Sequence, residues 1–156
     1  MKKTIMIIIT ISFIFYAIIL IAILFLRPSR FTWGLTFFEY LKYSTNIIPL
    51  RTVGTYIRAI IDGSMNLNIP IKNLVGNLIL FLPMGIYLPY FIKNLSSIKS
   101  YSIAIVIILF AVEVIQVTTR RGSFDVDDFI LNMLGALIGF AIWKTKFVQI
   151  ILSEKR

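Results

Sequence analysis

Neither cysteine nor histidine occurs among the 156 residues. Disulfides, thiol chemistry, imidazole general bases and the usual zinc sites are therefore excluded. Acids are scarce as well, with seven Asp and Glu against sixteen Lys and Arg. Any chemistry has to draw on those few carboxylates, on amides, arginine, lysine or hydroxyls. No internal repeat and no low-complexity linker is visible. What the chain does have is hydrocarbon: 58% of its residues are hydrophobic and its mean hydropathy is +0.90. That lies outside the range of an ordinary soluble fold and makes a membrane protein the default class. The formal charge of +9 does not signal nucleic acid, because the basic residues are scattered between apolar runs instead of forming a stripe with interleaved aromatics. Basic residues in this arrangement flank membrane spans and anchor them against headgroups.

The hydropathy pattern predicts an all-α polytopic membrane protein: one membrane domain, residues 1–156, with four spans and one interfacial amphipathic segment. Thr4 to Leu26 carries no charge and is long enough to cross a hydrocarbon core of about 30 Å. It exceeds a signal-peptide h-region and ends at Arg27-Pro28-Ser29-Arg30 without a small-x-small cleavage site, so an uncleaved anchor helix over 4–26 is expected. Residues 27–72 are of mixed polarity and should hug the membrane. Within them Val53, Tyr56, Ile57, Ile60 and Ile61 recur at helical spacing, with Arg58 and Asp62 off the stripe. Pro49 keeps residue 48 out of the helical region, so the chain should turn or extend before that helix. Span two is expected from about Asn73 to Ile92, kinked by Pro83 and Pro89; span three from Tyr101 to Thr119; span four from near Asp125 through Trp143. Lys144 and Lys146 can snorkel from the last span, and the tail should be interfacial.

Four spans put both termini on one side. The Lys and Arg count is eight on each side and decides nothing. The termini side has only Glu154 as an acid, and cytoplasmic termini in a multi-pass bacterial cell-membrane protein are the expectation.

Glu113 is the residue that burial explains least, since an ionisable group inside a span costs a few kcal/mol. It lies about 9 Å below the end of span three, and Asn132 about as far below the start of span four. Glu113, Gln116 and Arg120 follow i, i+3, i+7 spacing, as do Asp125, Asp128 and Asn132 on the next helix, while Asn73 and Asn77 enter from the same side at i, i+4. These eight residues form the candidate polar cluster. Plainer roles compete with it. Asp125 and Asp127 suit an N-cap and a first turn, and Asn73 suits an N-cap. Asn77, Gln116 and Asn132 suit interhelical hydrogen bonding, and Glu113 a salt bridge to Arg120 or Arg121. Gly135-x-x-x-Gly139 suits a close-packing face, which also leaves open an oligomer formed through Gly135 and Gly139.

Asn46-x-x-Pro49, Asn73-x-x-Gly76-Asn77-x-x-x-Phe81-x-Pro83-x-Gly85, Glu113-x-x-Gln116 with Arg120, and Asp125-x-Asp127-Asp128-x-x-x-Asn132-x-x-Gly135 together resemble the VanZ-like family over roughly residues 40–143. The first span and the basic tail lie outside that stretch. The resemblance implies a small bacterial membrane protein with a role at the cell envelope; the name-giving member is an accessory factor for low-level resistance to the lipoglycopeptide teicoplanin.

Three functions compete at this stage. The first is an envelope factor that binds an anionic lipid-linked or lipidated ligand at the outer face, with Arg120, Arg121 and the span-two amides holding its phosphate or carboxylate. The second is an intramembrane enzyme on a lipid substrate with Glu113 as general base, or with Asp125 and Asp128 as metal ligands. Three acids without histidine make a thin metal site, so no metal and no cofactor is expected. The third is a structural membrane subunit whose polar cluster only fixes packing. A stand-alone transporter is disfavoured by four spans without an inverted repeat.

Overall fold

A computed structural model describes residues 2–26 and 34–153. The Arg27-Pro28-Ser29-Arg30 break, Glu154 and the terminal Lys155 and Arg156 lie outside the described residues. The chain runs α1 (Lys2–Phe25), α2 (Phe37–Tyr43), β1 (Thr45–Asn46), α3 (Arg51–Asp62), α4 (Asn68–Leu80), α5 (Met84–Phe91), a short 3₁₀ turn (Lys93–Ser96), α6 (Ile98–Thr118), β2 (Phe124–Asp125), α7 (Val126–Lys144) and α8 (Lys146–Ser153). Among the described residues four stretches are long and apolar enough to cross a membrane: Lys3–Phe25, Asn68–Phe91, Ile98–Thr118 and Val126–Lys144. The all-α polytopic architecture expected from hydropathy is therefore present, with the two-residue strands β1 and β2 as its only pairing among the described residues.

Span four, α7, is the hub, packing on α4, α5 and α6. Its small residues make this possible. A Cβ at Gly135 would fall on the carbonyl of Leu78, one at Gly139 on the carbonyl of Leu82, and one at Gly85 on the backbone of Gly139 and Phe140. Backbones in lipid gain van der Waals contact by such close approach, because apolar burial drives nothing between helices there. The Gly135 and Gly139 face is thus filled by span two of the same chain, which corrects the expectation that it could receive a second copy. Below it, Tyr101 of α6 stacks on Phe140 with centroids 4.5 Å apart and donates its hydroxyl to the Ala136 carbonyl at 3.1 Å.

Span two breaks where proline requires it. Pro83 has no N–H to offer Ile79, whose carbonyl takes Leu82 N–H instead, and Met84 N–H turns to Phe81. The carbonyl of Leu80 accepts the Tyr16 hydroxyl of α1 at 2.8 Å, so a neighbouring helix satisfies a backbone group at the break. The same edge holds Tyr87 to Ser12 at 3.1 Å and to Phe13 by ring contact. Pro89, by contrast, is carried within α5.

Two boundaries differ from the hydropathy reading. Span two begins at Asn68, five residues before Asn73, because Pro70 sits in the first turn, where its missing N–H costs nothing. Span three begins at Ile98, capped by the Ser97 hydroxyl. The amphipathic helix is present as α3, closed by Gly63 in the left-handed region (φ 68°). Its stripe splits: Val53 and Tyr56 are half-buried against the protein while Ile57, Ile60 and Ile61 are exposed. A further helix, α2, starts with a capping box in which Thr36 and Glu39 bond reciprocally, and the Thr36 hydroxyl holds the Glu39 carboxyl below its usual range.

The glycine seam yields a direct test. Gly135→Ala or Gly139→Ala should destabilise the protein by about 2 kcal/mol or more, since backbone carbonyls cannot step aside. Gly76→Ala, where an added Cβ meets nothing, should be neutral or stabilising by up to about 1 kcal/mol. Thermal unfolding of the detergent-solubilised variants measures both.

Candidate functional site

On α6 the buried residues Tyr101, Ile105, Leu109, Glu113 and Val117 recur every fourth position. Glu113 is thus the one acid on an otherwise apolar buried stripe, only 4% exposed. Its Oε2 accepts the backbone N–H of Asp125 at 3.3 Å. The plainer alternative of a salt bridge to Arg120 is not formed: Arg120 turns away, donating from Nη1 to the Leu35 carbonyl at 3.1 Å and lying over the rings of Phe37 and Tyr40. Arg120 takes the left-handed conformation that closes α6 (φ 54°), while Arg121 and Gly122 N–H return to the Gln116 carbonyl.

The short connection after α6 pairs with the segment before α3. Thr45 and Asn46 lie parallel to Phe124 and Asp125, Phe124 N–H reaches the Ser44 carbonyl at 2.8 Å, and the Tyr40 hydroxyl donates to the Gly122 carbonyl. This clasp brings Asp125 to Asn46 and Thr52. Its Oδ1 accepts Asn46 Nδ2 at 3.0 Å and Asp127 N–H at 2.9 Å, which makes it the N-cap of α7, and its Oδ2 accepts the Thr52 hydroxyl at 2.7 Å.

Asp127 is fully buried and faces a different helix from the one it belongs to. Its Oδ1 accepts Leu50 N–H at 2.5 Å, and its Oδ2 accepts Thr52 and Val53 N–H at 2.7 and 3.0 Å. Those are the first free donors of α3, whose own cap residue, Leu50, sits in the left-handed region after Pro49 and offers no side-chain oxygen. One carboxylate therefore caps α3 while standing in the first turn of α7, at the positive ends of two helices.

The eight candidate residues thus separate. Glu113 and Asp125 join in the network with Asn46, Thr52 and Asp127, while Asp128 accepts the amide of Asn77. Asn132 is 5% exposed and its Oδ1 has no hydrogen-bond partner among the described residues. Gln116 instead donates to the Leu24 carbonyl of α1 at 3.0 Å, and Asn73 to its own helix at Ile69, 2.8 Å away, so Asn73 is not a cap.

Beside the network opens a cleft of about 570 Å³, bordered by Lys42, Tyr43, Asn46, Arg51, Tyr56 and Asp125. Of these only Asp125 belongs to the eight-residue candidate cluster; Lys42, Tyr43, Asn46, Arg51 and Tyr56 lie outside it. Asp125 already accepts three donors. The side chains of Lys42 and Arg51 are exposed and have no hydrogen-bond or ion-pair partner among the described residues, which leaves the cleft with cationic groups to offer. Burial and then the Asp128 and Asp125 carboxylates push the Tyr56 phenol above its usual range, so it remains a donor. Such a wall suits an anion with several oxygens, the arginine fork most of all.

Asp127→Ala should cost about 3 kcal/mol, since three buried N–H groups lose a charged acceptor at once. Hydrogen exchange should rise first at the start of α3 and leave α6 and the α4–α7 seam protected.

The profile of the VanZ/LLP1 family matches residues 13–150. It takes in most of the first span and much of the C-terminal helix, so the family region is wider than the stretch of 40–143 on which the motifs lie. Protein VanZ of Enterococcus faecium is 24% identical over 109 residues, 70% of this chain and 58% of that protein. The chain therefore spans only part of the length of that relative. No solved structure matches. With the family profile running through all four spans, the clasp and both capping carboxylates, the chain belongs to the VanZ/LLP1 family.

Proposed function

We propose that this protein is a bacterial cell-membrane factor that lowers sensitivity to teicoplanin-like lipoglycopeptides by binding an anionic lipid-linked or lipidated ligand at the outer face. The observation that carries this reading is the cleft with Lys42 and Arg51 on its border, over a carboxylate whose hydrogen-bonding capacity is already in use. The sequence-based expectation has Arg120, Arg121 and the span-two amides hold the ligand, but Arg120 serves the Leu35 carbonyl, Asn77 serves Asp128 and Asn73 serves the Ile69 carbonyl, which leaves only Arg121 of that set exposed. The anion-binding role passes to Arg51 and Lys42, with Tyr56 as a neutral donor between them and the buried acids.

Cytoplasmic termini belong to this reading, since they put the cleft on the external side, where an exported lipid headgroup or a drug can reach it. The connection between α1 and α4 and that between α6 and α7 then share the outer face, with the exposed isoleucines of α3 resting in the interface. Glu113 is a positioning residue in this account: it fixes Asp125, Asp125 fixes Asn46 and Thr52, and these set the floor of the cleft. An enzymatic role for Glu113 is less well supported, because its carboxylate is buried and bound to backbone, and no group of three or more acids among the described residues is arranged for a metal ion.

Lys42→Ala with Arg51→Ala removes both free cations without touching the network. In a susceptible Gram-positive host this double variant should reach parental membrane levels yet lose most of the teicoplanin protection given by the parent. Binding of an anionic headgroup should weaken by about thirtyfold, at roughly 1 kcal/mol for each basic residue. Full protection by the double variant would overturn the assignment of the cleft.

A further inference from the structure

Span two carries a second concavity, on its lipid side. Ile23 of α1 and Ile71, Val75, Ile79 and Leu80 of α4 wall a groove of about 490 Å³, sharing no residue with the cleft. Ile23, Ile71, Val75 and Ile79 are all more than two-fifths exposed, on helices long and apolar enough to span a bilayer, so this surface meets hydrocarbon. Gly76 leaves a gap in the wall, open enough that an added Cβ would touch nothing.

The groove has a polar end and an apolar end. Lys72 stands one turn inside the start of span two, exposed, and its ammonium has no hydrogen-bond or ion-pair partner among the described residues. A small hollow of about 200 Å³ lies beside it, bordered by Asn68, Ile69, Lys72 and Asn73. Asn73 is turned back onto the Ile69 carbonyl, so Lys72 is the charged group facing outward there. From Lys72 to Leu80 the helix rises about 12 Å, and beyond Asn77 the wall is wholly aliphatic. A cation at headgroup depth that continues inward as a branched-aliphatic trough is complementary to a phosphate followed by a hydrocarbon chain.

We propose that this groove binds one acyl chain of an anionic glycerophospholipid of the surrounding bilayer, with the lipid phosphate paired to Lys72. The site is distinct from the cleft and does not depend on it. A lipid seated there would also cover the line where α1 meets α4, beside the hydrogen bond from Tyr16 to the Leu80 carbonyl.

The test uses the full chain reconstituted in nanodiscs of phosphatidylglycerol mixed with phosphatidylcholine, released into mild detergent and read by native mass spectrometry. The parent should retain one phosphatidylglycerol in preference to phosphatidylcholine. Lys72→Gln should lower that preference about fivefold, the effect of one basic residue near the surface. Gly76→Phe, which fills the trough, should lower retention of either lipid about tenfold. Circular dichroism checks its folding; if it does not fold, Val75→Trp blocks the same groove from an exposed position. Lys42→Ala with Arg51→Ala should keep the lipid, which separates this site from the cleft. Equal retention of the two lipids by the parent, parental retention by the folded groove-filling variant, or loss of lipid from the cleft variant would each overturn the proposal.

Discussion

The polar end of this protein depends on two carboxylates two residues apart. Asp125 and Asp127 sit where the N-termini of α3 and α7 converge, and between them accept six hydrogen bonds: three from α3 backbone donors, one from the α7 backbone, and two from the side chains of Asn46 and Thr52. Buried carboxylates survive only when their oxygens are satisfied, and helix N-termini are where backbone supplies donors and a favourable field together. The arrangement does what a salt bridge would do without burying a cation. It also explains how a connection of mixed polarity is held against a membrane-embedded bundle: the clasp pairs β1 with β2, and Asp127 then docks α3 by its end rather than by its side.

The bundle beneath is built on a different principle. Within lipid the helices approach through glycine and carbonyl, at Gly135 on Leu78 and Gly139 on Leu82, and the break at Pro83 is tolerable because Tyr16 supplies the donor that the Leu80 carbonyl lacks. Glu113 links the two regimes. It is the last polar member of a buried apolar stripe and the first member of the network above, so the depth of α6 and the position of the clasp are tied together.

Much of this was legible from residues alone. The four spans and the proline break announce themselves by hydropathy and by backbone chemistry, and Glu113 stood out because an acid in an apolar run needs a reason. The partners were harder to read. The i, i+3, i+7 set of Glu113, Gln116 and Arg120 suggested a common face, yet the buried stripe of α6 repeats every fourth residue, which leaves Gln116 at its edge, facing α1. Arg120 left the set because the helix ends there in a left-handed turn. Asn73 resembles a helix start, but Pro70 fits the first turn of a helix and carries the start back to Asn68. Spacing within Asp125-x-Asp127-Asp128 points Asp127 to its own helix and says nothing about Thr52, which lies 75 residues earlier in the chain. The Thr36-x-x-Glu39 signature of α2 was there to be found, and with it Lys42.

The central claim, an anion-binding cleft open to the outside, is tested most directly in living cells by a single thiol in this cysteine-free chain. Ser123→Cys places it at the edge of the cleft, and Ser97→Cys places it on the opposite connection, before α6. The account predicts that an impermeant maleimide labels position 123 and spares position 97 in intact cells, and that teicoplanin slows the reaction at 123. Labelling at position 97 alone would put the cleft in the cytoplasm and contradict the account.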